Sequence, residues 1–157
     1  MNVEQPLKRI LGWDDITRLV DRLAGQLQGR EFDAMLVVTR GGMVPAGLLS
    51  EALDIRNILV AAVQFYTGIG TTLDQPRFLQ FPDSSLLEGK SILVVDDVWD
   101  SGRTAAEVRE RILVAGGSPV IAVLHYKPGA SHYPDQAPDF QAELTGDWVV
   151  YPWDTDH

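Results

Sequence analysis

Asp96 and Asp97 follow Ser91-Ile92-Leu93-Val94-Val95, an apolar run of the kind that forms a buried strand. They precede Val98-Trp99-Asp100-Ser101-Gly102-Arg103-Thr104, which leads directly into helical spacing. Open α/β sheets bind ligands at the carboxyl ends of their strands, so this run delivers two carboxylates to a ligand-facing edge. Adjacent carboxylates repel, and a site that keeps both charged compensates with hydrogen-bond donors or a cation; sugar hydroxyls or a magnesium-bound sugar meet that demand. The turn after them presents free N–H groups, the hydroxyls of Ser101 and Thr104 and the positive end of a helix dipole, which together form a phosphate cradle. Taken alone, Asp96 and Asp97 read as solvated loop acids, and Ser101 or Thr104 as a plain helix N-cap. Their adjacency points to a binding site.

A second turn of this type is Thr39-Arg40-Gly41-Gly42, between the apolar run 34–38 and a helical stretch with Pro45 near its start. Glycines let the backbone approach an anion closely, and Arg40 supplies a fixed charge. Taken singly the segment reads as an ordinary tight turn; paired with the first, it suits a ligand carrying phosphate at both ends. Lys127 follows the run 119–124 and stands either as one surface lysine or as an ammonium at the same sheet edge as the acids. Two rival nucleotide motifs fail. Gly89-Lys90-Ser91 lacks the glycine a P-loop needs five positions earlier, where Ser84 stands, and it enters a strand where a P-loop enters a helix. Gly68-Ile69-Gly70 is followed by Thr71-Thr72-Leu73, so no dinucleotide fingerprint is present.

The elements that must position these residues alternate. Ile16, Leu19, Val20, Leu23 and Leu27 have helical spacing, with Asp14 as the predicted N-cap. Strands are predicted at 34–38, 58–65, 91–95 and 119–124, and helices at 45–53 and 105–113; Tyr66 to Gln80, rich in Gly and Pro, reads as one long irregular excursion. The tail from Lys127 to His157 has no clear period beyond a short strand near 148–151. Alternating β and α elements imply a doubly wound, mainly parallel sheet. The 157 residues suit one domain, 1–157, and 45% apolar with 22% charged residues is ordinary globular usage. No run approaches the ~20 apolar residues of a membrane span and the opening residues lack a signal-peptide design, which leads us to expect a cytoplasmic protein. There is no cysteine, His125, His132 and His157 lack metal-ligand spacing, and a net charge of −9 argues against a general nucleic-acid binder. An anionic ligand must therefore rely on backbone N–H groups, a few arginines and a divalent cation within a small site.

Val94 to Thr104 resembles the 5-phosphoribosyl 1-pyrophosphate signature of the type I phosphoribosyltransferases: apolar residues, two acids and a short phosphate loop. Arg40-Gly41-Gly42-Met43-Val44-Pro45 resembles the pyrophosphate loop of bacterial xanthine-guanine and related 6-oxopurine enzymes, and Trp148-Val149-Val150-Tyr151-Pro152-Trp153-Asp154 resembles their base-binding segment. The resemblance implies a five-stranded, mainly parallel sheet flanked by helices, with a small hood formed within 127–157. It implies transfer of ribose 5-phosphate from phosphoribosyl pyrophosphate to hypoxanthine, guanine or xanthine, with Mg2+ as cofactor and a homodimer or homotetramer as the assembly. Asp96 and Asp97 would hold the ribose hydroxyls directly or through the metal, and Asp100, Ser101, Gly102, Arg103 and Thr104 would wrap the 5-phosphate. Asp100 would also take the proton of the incoming base, while Arg40, Gly41 and Gly42 would hold pyrophosphate. Lys127 would donate to the exocyclic oxygen of the purine, Trp148 would stack on its ring and the Val149 backbone would meet its edge. Val150 departs from the pattern, since the xanthine-guanine enzymes carry an acid there, which shifts the expectation toward hypoxanthine. Tyr66 and Thr67 are candidates to close over pyrophosphate. Two other readings stay open: a non-catalytic regulator that binds phosphoribosyl pyrophosphate, and a transferase for a pyrimidine or another base.

Overall fold

The computed structural model describes residues 7–66 and 75–155. Six strands form the central sheet: β2 (Ala34–Thr39), β3 (Ile58–Tyr66), β4 (Gln75–Gln80), β5 (Ser91–Trp99), β6 (Ser118–Tyr126) and β7 (Phe140–Leu144). Their spatial order is β4-β3-β2-β5-β6-β7, and every pair is parallel except β3–β4. The five parallel strands match the expected sheet, and β4 adds a sixth, antiparallel edge.

Alternation along the strands builds two cores. Met35, Val37, Leu93, Val95, Ala122 and Leu124 face helices α1 (Trp13–Leu27) and α2 (Met43–Leu53), while Leu36, Val38, Ile92, Val94, Ile121 and Val123 face Val108 and Ile112 of α3 (Arg103–Val114). Ile16, Leu19, Val20, Leu23 and Leu27 form the buried stripe of α1 as their spacing predicts. Its N-cap is Gly12 rather than Asp14: the carboxylate of Asp15, three residues on, accepts the Gly12 N–H at 2.8 Å and leaves Asp14 on the exposed face.

The segment after β3 is more regular than Gly and Pro content predicts, because 75–80 is strand. Pro76 is tolerated there because β4 is an edge strand, whose outward side needs no N–H donor. Thr67 lies outside the described residues, as does most of the expected irregular loop. The tail divides its work. Phe140–Leu144 extends the main sheet, and Trp148–Val150 forms β8, which pairs in parallel with β1 (Lys8–Ile10) in a separate two-stranded sheet. This second sheet joins residues 8–10 to the tail, so the short strand predicted near 148–151 finds its partner outside 127–157.

Candidate active site

Continuing past Val95, β5 stays paired with β6 through Trp99, so Asp96 and Asp97 stand on an ordered strand end. Asp96 Oδ1 accepts the Asp97 N–H at 2.8 Å, and Asp97 Oδ1 accepts the Val98 N–H at 2.8 Å. Burial pushes the Asp96 carboxyl well above the usual carboxylate range, and the neighbouring charge of Asp97 adds to the rise. Burial raises Asp97 as well, against hydrogen bonds from its surroundings that favour its charged form. Among the described residues no salt bridge reaches either acid. Two hard oxygen donors without a cationic side chain fit a magnesium ion completed by substrate oxygens and water. Among the described residues no cluster of three or more potential ligands exists, so an ion held here would have to take its remaining ligands from outside these side chains.

A pocket of about 210 Å³ is lined by residues 96–105. Gly102 caps α3 with φ +85° and ψ 0°, a left-handed conformation that suits glycine. A β-carbon there would lie 2.6 Å from Cε2 of Trp99 and closer still to Nε1. Trp99 is therefore the floor of the turn: it is 1% exposed, and its Nε1 donates to Ser131 Oγ at 3.1 Å. Ser101 Oγ accepts the Arg103 N–H at 3.3 Å, the Ser101 carbonyl accepts the His132 N–H at 2.9 Å, and an Arg103 Nη lies 3.2 Å from His132 Nδ1. The first turn of α3, with Thr104 in it, opens onto this pocket with the N–H groups that a helix start leaves free of intrahelical partners.

The 40–42 turn meets the acids directly. Gly42 donates to the Val38 carbonyl at 2.8 Å, Met43 to that of Arg40 at 3.0 Å, and the Thr39–Arg40 peptide is cis. A β-carbon on Gly41 would lie 2.5 Å from Cγ and both oxygens of the Asp97 carboxylate, and one on Gly42 would meet the Val38 and Val95 carbonyls. Only a chain without side chains at both positions brings the turn this close to β5. Arg40 is exposed at its rim.

Lys127 is held beside the 100–104 turn: its N–H donates to the Trp99 carbonyl at 3.0 Å, and its Nζ is 3.8 Å from Asp100 Oδ2. Asp100 is 60% exposed at its side chain. The structure thus gathers residues 40–42, 96–104 and Lys127 at one sheet edge. Trp148 and Val149 belong to the two-stranded β1–β8 sheet. Trp148 is 63% exposed, Val149 is buried, and no hydrogen bond or ring contact joins the Trp148 indole to the other candidates.

Several residues that build the site were not singled out as such from sequence. Trp99 and Ser131 form its floor, and Arg109 holds the 136–139 segment through Gln136 Oε1 at 3.1 Å and the Ala137 carbonyl at 2.9 Å. Tyr151 donates to the Asp97 carbonyl at 3.2 Å. The sequence signal available for this group was His125, a polar residue closing the apolar run 121–124, which now lies 2.7 Å from the Tyr151 hydroxyl.

The family model described as a phosphoribosyl transferase domain matches residues 7–157. The xanthine-guanine phosphoribosyltransferase of Gluconobacter oxydans is 34% identical over 146 residues, spanning 91% of this chain and 82% of that protein. Its counterpart in Roseobacter denitrificans is 34% identical over 157 residues, spanning 92% and 84%. Among solved structures, a purine phosphoribosyltransferase from Pyrococcus horikoshii superposes with a TM-score of 0.80 at 32% identity, covering 96% of this chain and 95% of that one. A Neisseria gonorrhoeae protein crystallised with bound ppGpp gives 0.82 at 29% identity, covering 98% and 92%. With two glycine-containing turns and an acid pair converging on one sheet edge, and with these matches over nearly its whole length, the chain belongs to the phosphoribosyltransferase family.

Proposed function

We propose that the protein transfers ribose 5-phosphate from phosphoribosyl pyrophosphate to a ring nitrogen of a 6-oxopurine, releasing pyrophosphate, in purine salvage. The observation that carries this reading is the contact of the 40–42 turn with the acid pair, where the space for a Gly41 side chain is taken by the Asp97 carboxylate. In this reading a pyrophosphate turn and a 5-phosphate turn flank two carboxylates, the spacing of functions that a sugar with phosphate at both ends requires.

In this reading the 101–104 backbone and hydroxyls hold the 5-phosphate, and Arg40 with the Gly41 and Gly42 backbone holds pyrophosphate. Asp96 and Asp97 hold the ribose hydroxyls and magnesium, which when bound offsets the charge of the leaving pyrophosphate. Positive charge grows on the ribose as pyrophosphate departs, so the two carboxylates stabilise that state more than the ground state. Asp100 accepts the proton released by the base, a contribution of about 10²–10⁴-fold for a general base. Lys127, beside Asp100, donates to the exocyclic oxygen, where adenine carries an amino group that cannot accept. Trp148 offers its exposed ring for stacking, and the Val149 backbone meets the purine edge. The reading also carries a cytoplasmic setting and a homodimer or homotetramer, which sedimentation of the purified protein tests.

A second reading has one observation behind it, the ppGpp bound by the Neisseria relative: the same turns would serve an effector in a non-catalytic regulator. Incubation with magnesium, phosphoribosyl pyrophosphate and a panel of bases separates the two. Pyrophosphate release with hypoxanthine, guanine or xanthine and none with adenine or uracil is the expected result. Binding of phosphoribosyl pyrophosphate with no release for any base would favour the regulator, and release with uracil alone would favour a pyrimidine transferase.

A further inference from the structure

Among the described residues His125 is an ionisable side chain wholly withdrawn from solvent, at 0% exposure near the end of β6. Its Nδ1 is 2.7 Å from the Tyr151 hydroxyl, which is 3.2 Å from the Asp97 carbonyl. A phenol has one proton, and a carbonyl can only accept. The proton therefore goes to Asp97, and the phenol oxygen accepts from His125, whose hydrogen must sit on Nδ1. The other ring nitrogen, Nε2, has no hydrogen-bond partner and lies 3.9 Å from Glu143 Oε2, a carboxylate paired with Arg9 of β1. Tyr151 is itself fixed. Its ring stacks on Trp153 with centroids 4.7 Å apart and planes 3° from parallel, and its N–H donates to Asp154 Oδ2 at 2.9 Å.

The Asp97 carbonyl and the Val98 N–H belong to one planar peptide unit. The Val98 N–H donates to Asp97 Oδ1, so the carboxylate is tied to the same plane that Tyr151 holds from the core side. Gly41 packs directly against that carboxylate. A turn of this peptide would carry the carboxylate with it.

We propose that Tyr151 is a positioning residue for the transfer reaction: its hydroxyl, oriented by His125, locks the Asp97–Val98 peptide so that the Asp97 carboxylate stays aimed at the ribose and its cation. The proposal rests on the phosphoribosyl pyrophosphate reading of the pocket. Because Tyr151 directly follows β8, the same bond ties the strand that receives the base to the strand that receives the ribose.

Tyr151→Phe keeps the stacked ring and removes only the hydroxyl, so the Asp97 carbonyl loses its side-chain donor, the His125 Nδ1–H loses its acceptor, and the Asp97–Val98 peptide is held by the β5–β6 pairing alone. The peptide is then less firmly aligned, and binding must restore its orientation. Calorimetric affinity for phosphoribosyl pyrophosphate with magnesium should weaken about tenfold, in keeping with one buried hydrogen bond, while the KM for purine stays within about twofold. His125→Leu should weaken the same affinity, and His125→Asn, which keeps an N–H donor at the Nδ1 position, should retain it. In the Tyr151→Phe background His125→Leu should add nothing further, since the two act as one unit. A merely structural pair would lower the melting temperature and leave that affinity unchanged at 25 °C, which would overturn the proposal. Amide resonances of Asp97 and Val98 in the ligand-free protein give a reading independent of substrate. They should move in Tyr151→Phe, and unmoved resonances would also overturn it. Failure of the wild-type protein to bind phosphoribosyl pyrophosphate would instead remove the pocket reading, and with it this role for Tyr151, even where the amide shifts had established the hydrogen bond.

Discussion

Replacing Gly102 with alanine should damage fold and phosphate site together, and the structure sets the size of the effect. At φ +85° an L-residue pays about 1–2 kcal/mol for the left-handed conformation. The added β-carbon also enters the space of the Trp99 indole, 2.6 Å from Cε2. Trp99 has little freedom to retreat: it is 1% exposed, bonded through Nε1 to Ser131, edge-on to Tyr126 at 6.0 Å and covered by the Arg109 guanidinium at 5.6 Å. Overpacking at such a position adds about 1–3 kcal/mol. Together the terms give a loss of about 2–5 kcal/mol, and in a chain of this size each kcal/mol lowers the melting temperature by about 2–4 °C. The alternative to that loss is rotation of the turn away from Trp99, which withdraws N–H groups from the pocket. Thermal denaturation and calorimetric titration with phosphoribosyl pyrophosphate should therefore both register the change. Gly47→Ala is the control. Gly47 lies inside α2 with nothing within 4 Å of its added β-carbon, so alanine should stabilise by about 0.5–1 kcal/mol. A Gly102→Ala protein within 0.5 kcal/mol of wild type and of unchanged affinity would refute the reasoning.

Other expectations follow from the same geometry. Asp96 is raised in the folded state above its unfolded value, so its charge opposes folding at neutral pH and the penalty fades as pH falls through the folded value. Asp96→Asn should stabilise the ligand-free protein by about 0.5–2 kcal/mol at pH 7.5 and progressively less in acid, while abolishing magnesium-dependent binding; a lower melting temperature at pH 7.5 would contradict this. His125 is pushed down to about 4 by burial. Its neutral form contributes stability that is present above pH 6.5 and lost as pH falls toward 4, and its ring C–H resonances should stay flat through pH 6 and move only near 4. Trp148→Ala should raise the KM for purine by about tenfold, consistent with a stacking contribution of about 1–3 kcal/mol, and spare affinity for phosphoribosyl pyrophosphate. Equal losses for both ligands would contradict the stacking role.

What was legible in the sequence was what is local in the chain. The acids at 96 and 97, the turn at 100–104 and the turn at 40–42 each compress strand end, glycine and helix start into about ten residues, so residue type and spacing carry the chemistry. Four of the five parallel strands were legible for a related reason: buried strands read as continuous apolar runs, whereas β7, Phe140-Gln141-Ala142-Glu143-Leu144, has no such run and went unseen in the tail. What escaped depends on distant partners. β1 and β8 are three residues each and exist because Lys8–Ile10 pairs with Trp148–Val150 across most of the chain. β4 hides behind Pro76, which only an edge position tolerates. The floor under Gly102 joins Trp99 to Ser131, and the bond from Tyr151 to Asp97 spans 54 residues, so neither leaves a pattern in a window of sequence. Gly41 lies between: its turn was visible, but the Asp97 carboxylate that forbids a side chain there was not.

The central claim is that the two turns and the acid pair serve one transfer of ribose 5-phosphate to a 6-oxopurine. Its most direct test is mass-spectrometric identification of the product formed from hypoxanthine, phosphoribosyl pyrophosphate and magnesium, with pyrophosphate measured in the same samples. Nucleoside 5′-monophosphate and pyrophosphate appearing together in equal amounts is the predicted result. Phosphoribosyl pyrophosphate that binds but is never consumed with hypoxanthine, guanine or xanthine would contradict the account.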